Sequence, residues 1–472
     1  MPEPARCPSL ACLFFVIAVN GCTSAPTSSS RPTDDDGGED GGTDTETSFV
    51  LPECSFLEDQ LPSWRLDWAK RFGSSGKDIS QDLVGTGSDT FAITGWFCGD
   101  VAFDDTTICG FTGHMYLAKL DLSGRVDWAV SAGYGYTVGR RVAHSDQLGT
   151  IGVAGSFGNS ALFGEGQENE TWLHEEANGD AGFVATYSDD GELLWARAFA
   201  PVDASFSGSK AHGLGFQQDG SMVATGWFAG EMALTQDIVL HSPEEKRGFV
   251  VGMDQNGEVS WGKVLDGPGW TIGQSVDVLQ DGSHAVLGAY EGSLAIEETA
   301  PEPLLEATGD SSAFLACFDQ EGDLLWARDL GINGFVGSGG PPKKGKLISL
   351  ENGDIAVAGA FAEGAMLAGD GTDLDPVTPD AEEERGLYLA RYRADGDHAW
   401  TRVLPVGNAY SAVWDVTELG DGSLVAAGRF TDFVQFDPEN PGENRLEALG
   451  AAGDDGFLAS WTSDGEFMWA LR

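Results

Sequence analysis

Seven tryptophans, Trp68, Trp128, Trp195, Trp261, Trp326, Trp400 and Trp469, recur at intervals of 60 to 74 residues. Each of the last six stands 12 residues after an aromatic, namely Tyr116, Phe183, Phe249, Phe314, Tyr388 or Phe457. Each also stands four residues after a glycine, namely Gly124, Gly191, Gly257, Gly322, Gly396 or Gly465. One module is therefore written six times. A period this long, filled only with strand-like pieces, predicts a radial array of small sheets.

Residues 182–195, GFVATYSDDGELLW, show the physics of the module. An apolar run, a Ser-Asp-Asp-Gly corner and a second alternating run ending on Trp195 make a hairpin, with glycine supplying the positive φ of the turn. A second hairpin precedes it in most units, as in QQDGSMVATGWF (217–228) and LGDGSLVAAGRF (419–430). Gly95, Gly155, Gly226, Gly288, Gly359 and Gly428 head its Gly-x-Phe/Tyr pieces, and a glycine within a strand marks a bend or a close backbone approach. Each unit thus offers an inner strand, a Gly-x-Phe strand, an aromatic third strand and a tryptophan strand. A large aromatic at one place per unit is expected to wedge between neighbouring blades, burying about 150–250 Å². From unit glycine to tryptophan the distance runs from 33 to 41 residues, yet the last 12 never change. Insertions therefore fall between the second and third strands, on one side of the ring, where variable loops carry specificity.

The pattern (F/Y)-x-A-x-x-(D/S)-x-(D/N/S/E)-G-x-x-x-W, preceded by G-x-(F/Y), resembles the SBBP-type β-propeller repeats of bacterial secreted and surface proteins. It is also similar to the tryptophan-docked blades of pyrroloquinoline-quinone propellers, without any quinone-enzyme catalytic signature. The resemblance covers about residues 63–472 and implies propeller architecture. It says almost nothing of activity, because one propeller fold hosts hydrolases, lyases, lectins and inert scaffolds. The expectation is an all-β, six-bladed β-propeller of four-stranded antiparallel blades over residues 51–472. Seven blades is the alternative, because residues 64–72 add a seventh tryptophan strand.

Residues 1–22, MPEPARCPSLACLFFVIAVNGC, resemble a secretory signal. Its ending, Val19-Asn20-Gly21-Cys22, resembles a bacterial lipobox, which implies a signal peptide over 1–21 and an acylated Cys22. An ordinary cleaved signal peptide is the alternative, while a membrane-spanning helix fits poorly because the apolar run over 10–19 is well short of about 20 residues. Residues 22–50 are dominated by Ser, Thr, Pro, Asp, Glu and Gly, a composition expected to form a disordered tether. Thr23 in place of aspartate favours outer-membrane lipid as the partner of Cys22. Cys98 and Cys109 flank one loop and form a disulfide candidate, while Cys54 and Cys317 are left paired or free.

A formal charge of −49, from 75 acidic against 26 basic residues, excludes nucleic acid as a partner, since phosphate binding needs clustered Lys and Arg. Calcium is the conceivable cofactor: the acidic turns at Asp104 and Asp105, at 373–380 and at 432–443 offer oxygen ligands, although none has the regular calcium-loop spacing and solvated turns are the plainer reading. GPPKKGKL (340–347) imitates a phosphate loop, but Leu347 stands where Ser or Thr must bind magnesium, and the segment lies between strands. The seven histidines show no zinc spacing, and no nucleophile elbow occurs.

A ligand site, if axial, draws on the inner strands. Counting back eight residues from the hairpin glycines Gly149, Gly220, Gly282 and Gly422 gives Arg141, His212, Gln274 and Trp414, with Lys346 and Asp82 nearby in other units. These side chains either hold a ligand or merely order water. The expected function is a membrane-anchored, monomeric, non-enzymatic binding or scaffold module for a protein or glycan. The alternative is an extracytoplasmic hydrolase or lyase acting on polysaccharide, recognisable by two carboxylates about 5–10 Å apart in the funnel.

Overall fold

The computed structural model describes residues 69–472, apart from 71, 75, 176–178, 203–207, 297–302, 332–344, 363–384, 408–410, 438–443 and 450–453. The expected signal peptide, Cys22, the tether and Cys54 lie outside the described residues. Every regular element among those described is a β-strand.

The first unit is β1 (Ile79–Gly85), β2 (Thr90–Phe103), β3 (Thr106–Asp121) and β4 (Val126–Ala132), paired in that order. Then come β5 (Thr137–Ser145) and β6 (Thr150–Gly158), an inserted hairpin of β7 (Ser160–Phe163) and β8 (Thr171–His174), and β9 (Asp180–Ser188) with β10 (Leu193–Phe199) completing the sheet. The next run is β11 (Gly208–Phe216), β12 (Met222–Ala233), β13 (Val239–Met253) and β14 (Val259–Asp266). It is followed by β15 (Thr271–Val278), β16 (His284–Ile296), β17 (Leu305–Phe318) and β18 (Leu324–Asp329). Edge pairing of Leu265 with Ile296 and Asp266 with Ala295 joins these two runs into one eight-stranded sheet.

A further sheet holds β19 (Lys346–Ser349), β20 (Ile355–Ala362), β21 (Arg385–Tyr392) and β22 (His398–Pro405). The last comprises β23 (Ala412–Glu418) and β24 (Leu424–Thr431), a small arm of β25 (Phe433–Gln435) and β26 (Arg445–Glu447), then β27 (Asp454–Trp461) and β28 (Phe467–Leu471). All ladders are antiparallel, and the inner strands β1, β5, β11, β15, β19 and β23 touch in succession. The arrangement is β-propeller-like.

Two recurring contacts explain the repeat. The unit glycine on each second strand pairs across the ladder with the aromatic of the third strand: Gly95 with Tyr116, Gly155 with Phe183, Gly226 with Phe249, Gly288 with Phe314, Gly359 with Tyr388 and Gly428 with Phe457. The aromatic ring lies over the bare glycine, and a Cβ on Gly226 would stand 1.9 Å from the Lys210 carbonyl oxygen. The second contact crosses between units. The indole N–H of Trp128 donates to Asp189 O at 2.9 Å, and those of Trp195, Trp261, Trp326 and Trp400 donate to Gln255, Gln320, Ala394 and Ser463 O at 3.0 Å. Each tryptophan thus docks on the corner hairpin of the unit that follows it, against the turn glycine. Gly257, at φ +80°, would put a Cβ 2.7 Å from the Trp195 ring.

Apolar packing follows the same seams. Ala92, Met115 and Leu117 of the first unit pack with Val142, Ile151 and Phe157 of the second, and Val184 and Phe199 pack with Leu214, Phe228 and Phe249 of the next. The core is therefore distributed between sheets, which is how large aromatics buried one per unit stabilise a radial array.

Candidate functional site

The inner strands carry a shared irregularity. In β1, β5, β11, β15 and β23 the register against the second strand slips by one residue, leaving Gln81, Arg140, His212, Gln274 and Trp414 outside the ladder. β19 pairs without a slip. Such a bulge re-aims one side chain and bends the strand. His212, Gln274 and Trp414 are therefore equivalent positions, as the sequence spacing implied, but Arg141 is not their counterpart. Arg140 is. The corner at 146–149 closes with Gly149 N donating to Ser145 O, one residue longer than the Gly220 N to Gln217 O closure of the following unit, so a fixed count back from glycine lands one position late.

Two of the bulge residues tie neighbouring units together. His212 Nδ1 bonds Gly273 O at 3.2 Å, and Gln274 Oε1 accepts from Gly345 N at 2.9 Å. Arg140 Nη2 donates to Ser156 Oγ at 3.3 Å within its own sheet. Trp414 is 54% exposed, with the Arg429 guanidinium over its ring.

Arg141 and Lys346 belong to a second layer, together with Asp82 and Asp415. Asp82, Arg141, Lys346 and Asp415 pair with Thr94, Ala154, Ala358 and Ala427 respectively, each the residue before its unit glycine. Arg141 Nη1 reaches Asp82 Oδ1 at 3.2 Å; Lys346 Nζ reaches Asp82 Oδ1 at 3.3 Å and Asp415 Oδ1 at 3.0 Å. Val142 N donates to Asp82 Oδ2 at 2.8 Å, and Arg141 Nε donates to His212 O at 3.4 Å. One cluster thus links inner strands from both ends of the chain. Asp82 is only 4% exposed at its side chain. Burial opposes its charge, but Lys346, Arg141 and the Val142 amide outweigh burial and hold its carboxyl below the usual carboxylate range.

Chemically, this cluster balances two carboxylates with two cations. Asp82 and Asp415 both touch the Lys346 ammonium, so the cluster brings together two carboxylates, the pair of groups a glycosidase employs. A glycosidase also needs one carboxyl raised and protonated, whereas Asp82 is held ionised. Towards the other end of the inner strands, burial pushes the Asp277 carboxyl up despite bonds from Ser349 N (2.7 Å) and Ser349 Oγ (3.0 Å). Asp277 lines a cleft of about 410 Å³ with Ser349, Glu351 and Glu418. Another, of about 340 Å³, lies around Met222, Trp261 and Gln320.

Both thiols of the expected staple are free in the structure. Cys98 stands at a register slip between Phe97 and Gly99, whereas Cys109 lies opposite Asp100, whose carboxylate raises the Cys109 thiol above its usual range. Cys317 is buried, which pushes its thiol up to about 11. Asp104, in one of the acidic turns considered for calcium, is paired with Lys70 and accepts from Val126 N. Turn carboxylates such as Asp254 and Asp319 accept amides two and four residues on, the local bonding that makes Asp common in turns. Among the described residues no three His, Cys, Asp or Glu side chains come together as a metal site. The acidic stretch at 373–380 lies outside the described residues.

The sequence reading missed Tyr134, Tyr136 and Trp172, which stand exposed where the first two units meet. A signal existed in the alternation Gly133-Tyr134-Gly135-Tyr136 and in a tryptophan off the repeat register.

No family model matches the chain, and no curated protein matches it. Among solved structures it is similar to the WD40 β-propeller domain of Doa1, with TM-score 0.32 and 11% identity over 75% of this chain and 92% of that one. It is similar to a eukaryotic initiation factor, with TM-score 0.33 and 12% identity over 84% and 89%. Likeness to the V. cholerae biofilm matrix protein Bap1 has TM-score 0.20 and 11% identity over 85% and 74%. Scores this low carry no argument. The class, an all-β repeat protein of β-propeller-like arrangement, rests on the strand order and on the contacts that generate the repeat.

Proposed function

We propose that the protein is a six-bladed β-propeller lipoprotein, held by acylated Cys22 in outer-membrane lipid, acting as a monomeric, non-enzymatic binding module for a protein or glycan. The observation that carries the reading is the axial cluster: its charges are satisfied by one another, and its most buried carboxylate is held ionised. That leaves binding to the connections between second and third strands, which grow into extra arms at β7–β8 and β25–β26. Six blades are supported by the strand order and by Lys70, whose ammonium donates to Gly124 O at 2.9 Å. This bond resembles Arg197 Nη1 to Gly257 O at 2.8 Å, so the segment just before β1 serves the first unit's corner as a preceding unit serves the others.

The competing reading, an axial hydrolase or lyase, has the meeting of Asp82 and Asp415 on one ammonium in its favour. Incubating the purified 55–472 domain with polysaccharides and measuring new reducing or unsaturated ends separates the two. Binding without products is expected; products abolished by Asp415→Asn would overturn the reading. Cys22→Ser is expected to move the full chain from membrane to soluble fraction.

A further inference from the structure

Of the four exposed Tyr and Trp side chains among the described residues, Tyr134 (73%), Tyr136 (42%), Trp172 (43%) and Trp414 (54%), the first three share one seam. Tyr134 and Trp172 meet edge to face at 5.3 Å between ring centroids, and Trp172 stacks on His174 at 6.0 Å and 4°. On the other flank Tyr136 meets Trp96 at 5.7 Å, with Lys77 over the Trp96 ring. Tyr134, Trp172 and His174 thus form one strip of three rings, and Trp96 with Tyr136 makes a second pair, the two groups joined through the Gly133-Tyr134-Gly135-Tyr136 loop.

The strip is rigidly mounted. Gly133 N donates to Leu162 O and Gly135 N to Ser160 O, both at 3.1 Å, and Gly158 N donates to Tyr136 O at 2.8 Å, so the Gly-Tyr-Gly-Tyr loop is laid along the inserted hairpin. A Cβ on Gly135 would stand 2.6 Å from Gly158 O, which explains glycine there. On β8 the exposures alternate, placing Trp172 and His174 outward and Leu173 inward. Ser160 Oγ bonds His174 Nδ1 at 3.0 Å and orients its ring. Exposed aromatic surface held in place is a recognition feature, because little rotamer freedom is left to lose on binding.

The geometry points to a binding platform for a neutral glycan along this strip, a refinement that rests on the binding-module reading above. Flat Trp, Tyr and His faces offer stacking to the C–H faces of sugar rings, and their N–H and O–H tips offer hydrogen bonds to hydroxyls. Charge sets the class of sugar. The chain carries −49 overall, and the segment that bears Trp172 and His174 also carries Glu165, Glu168, Glu170 and Glu175, so uronate or sulfate polymers are repelled. A protein partner fits less well: Trp172 is preceded in the arm by the exposed Glu168, Asn169 and Glu170 rather than by aliphatic side chains, unlike the apolar core of a protein interface.

The test is affinity electrophoresis of the 55–472 domain and of the full chain in gels containing laminarin, mannan or hydroxyethyl cellulose, with alginate as the anionic control and heat-killed bacterial cells as a separate pull-down probe. Retardation by at least one neutral polymer is expected, weakened about tenfold or more by Trp172→Ala with Tyr134→Ala as two stacking faces are lost, and largely kept by Trp172→Phe. Unchanged circular dichroism in both variants excludes misfolding. Retardation insensitive to the double change, or by alginate alone, overturns the platform while leaving the binding-module reading intact. Binding to cells with no neutral polymer recognised overturns the glycan assignment alone. Binding to nothing overturns both.

Discussion

Replacing Asp82 with Asn keeps the shape and one acceptor for the Val142 amide, but removes the charge that Arg141 and Lys346 share. Arg141 and Lys346 are 14% and 13% exposed at their side chains, so solvent replaces little of what they lose. Removing one partner from a buried ion pair costs about 3–5 kcal/mol. Here Lys346 keeps Asp415, which is 42% exposed, and Asn keeps one hydrogen bond, so the expected loss falls below that range, at about 2–3 kcal/mol. Lys346→Met leaves the Asp82–Arg141 pair intact and is expected to lose about half as much, with a coupling of about 1 kcal/mol or more in the double variant.

Urea unfolding, comparing midpoints at unchanged slope, reads these differences. Acid adds a second arm. Because the folded carboxyl lies below its unfolded value of about 3.9, its contribution is complete above that pH and fades as pH falls through the folded value. Asp82→Asn is expected to abolish that acid-limb contribution. A variant within about 0.5 kcal/mol of wild type, with an unaltered acid limb, would refute the claim that the cluster ties the ring.

His284 is fully buried, parallel to Trp261 at 5.4 Å, and burial pushes its imidazole down to about 4. The unfolded chain therefore takes up the proton first, so stability falls from about pH 6.5 towards the folded value near 4; His284→Phe is expected to flatten that window in pH-dependent thermal melts. Gly257→Ala puts a Cβ against Trp195 at positive φ and is expected to destabilise by about 1–3 kcal/mol, with a shifted tryptophan emission spectrum as readout. Thiol titration of denatured protein exported to an oxidising compartment is expected to show Cys98 and Cys109 unreactive if the proposed staple forms there; two reactive thiols at these positions would remove it.

The repeat was legible because each of its marks answers to one contact. The 12-residue spacing carries the aromatic that covers the unit glycine and the tryptophan that docks on the next corner, and neither tolerates an insertion between them. Inner-strand residues were legible only in part. His212, Gln274 and Trp414 were found because their corners have equal length, whereas the longer corner at 146–149 hid Arg140. Lys346 and Asp82 were both named but not their pairing, because they lie 264 positions apart in sequence and no spacing rule spans that distance, and Asp415 was not named at all. Tyr134 and Trp172 escaped for the opposite reason: Tyr134 belongs to one connection between units and Trp172 to an insertion in one unit, so the repeat could not announce them.

The tryptophan docking has a direction. Trp128 waits for 189–191, Trp195 for 255–257, and so on to Trp400 with 463–465. A chain emerging with its N-terminus first therefore carries, at each moment, one newly made sheet whose indole still lacks its acceptor. Synthesis itself becomes a sequence of latches, each closed only by the arrival of the next. The nascent protein stays pliable at its growing edge and hardens behind it.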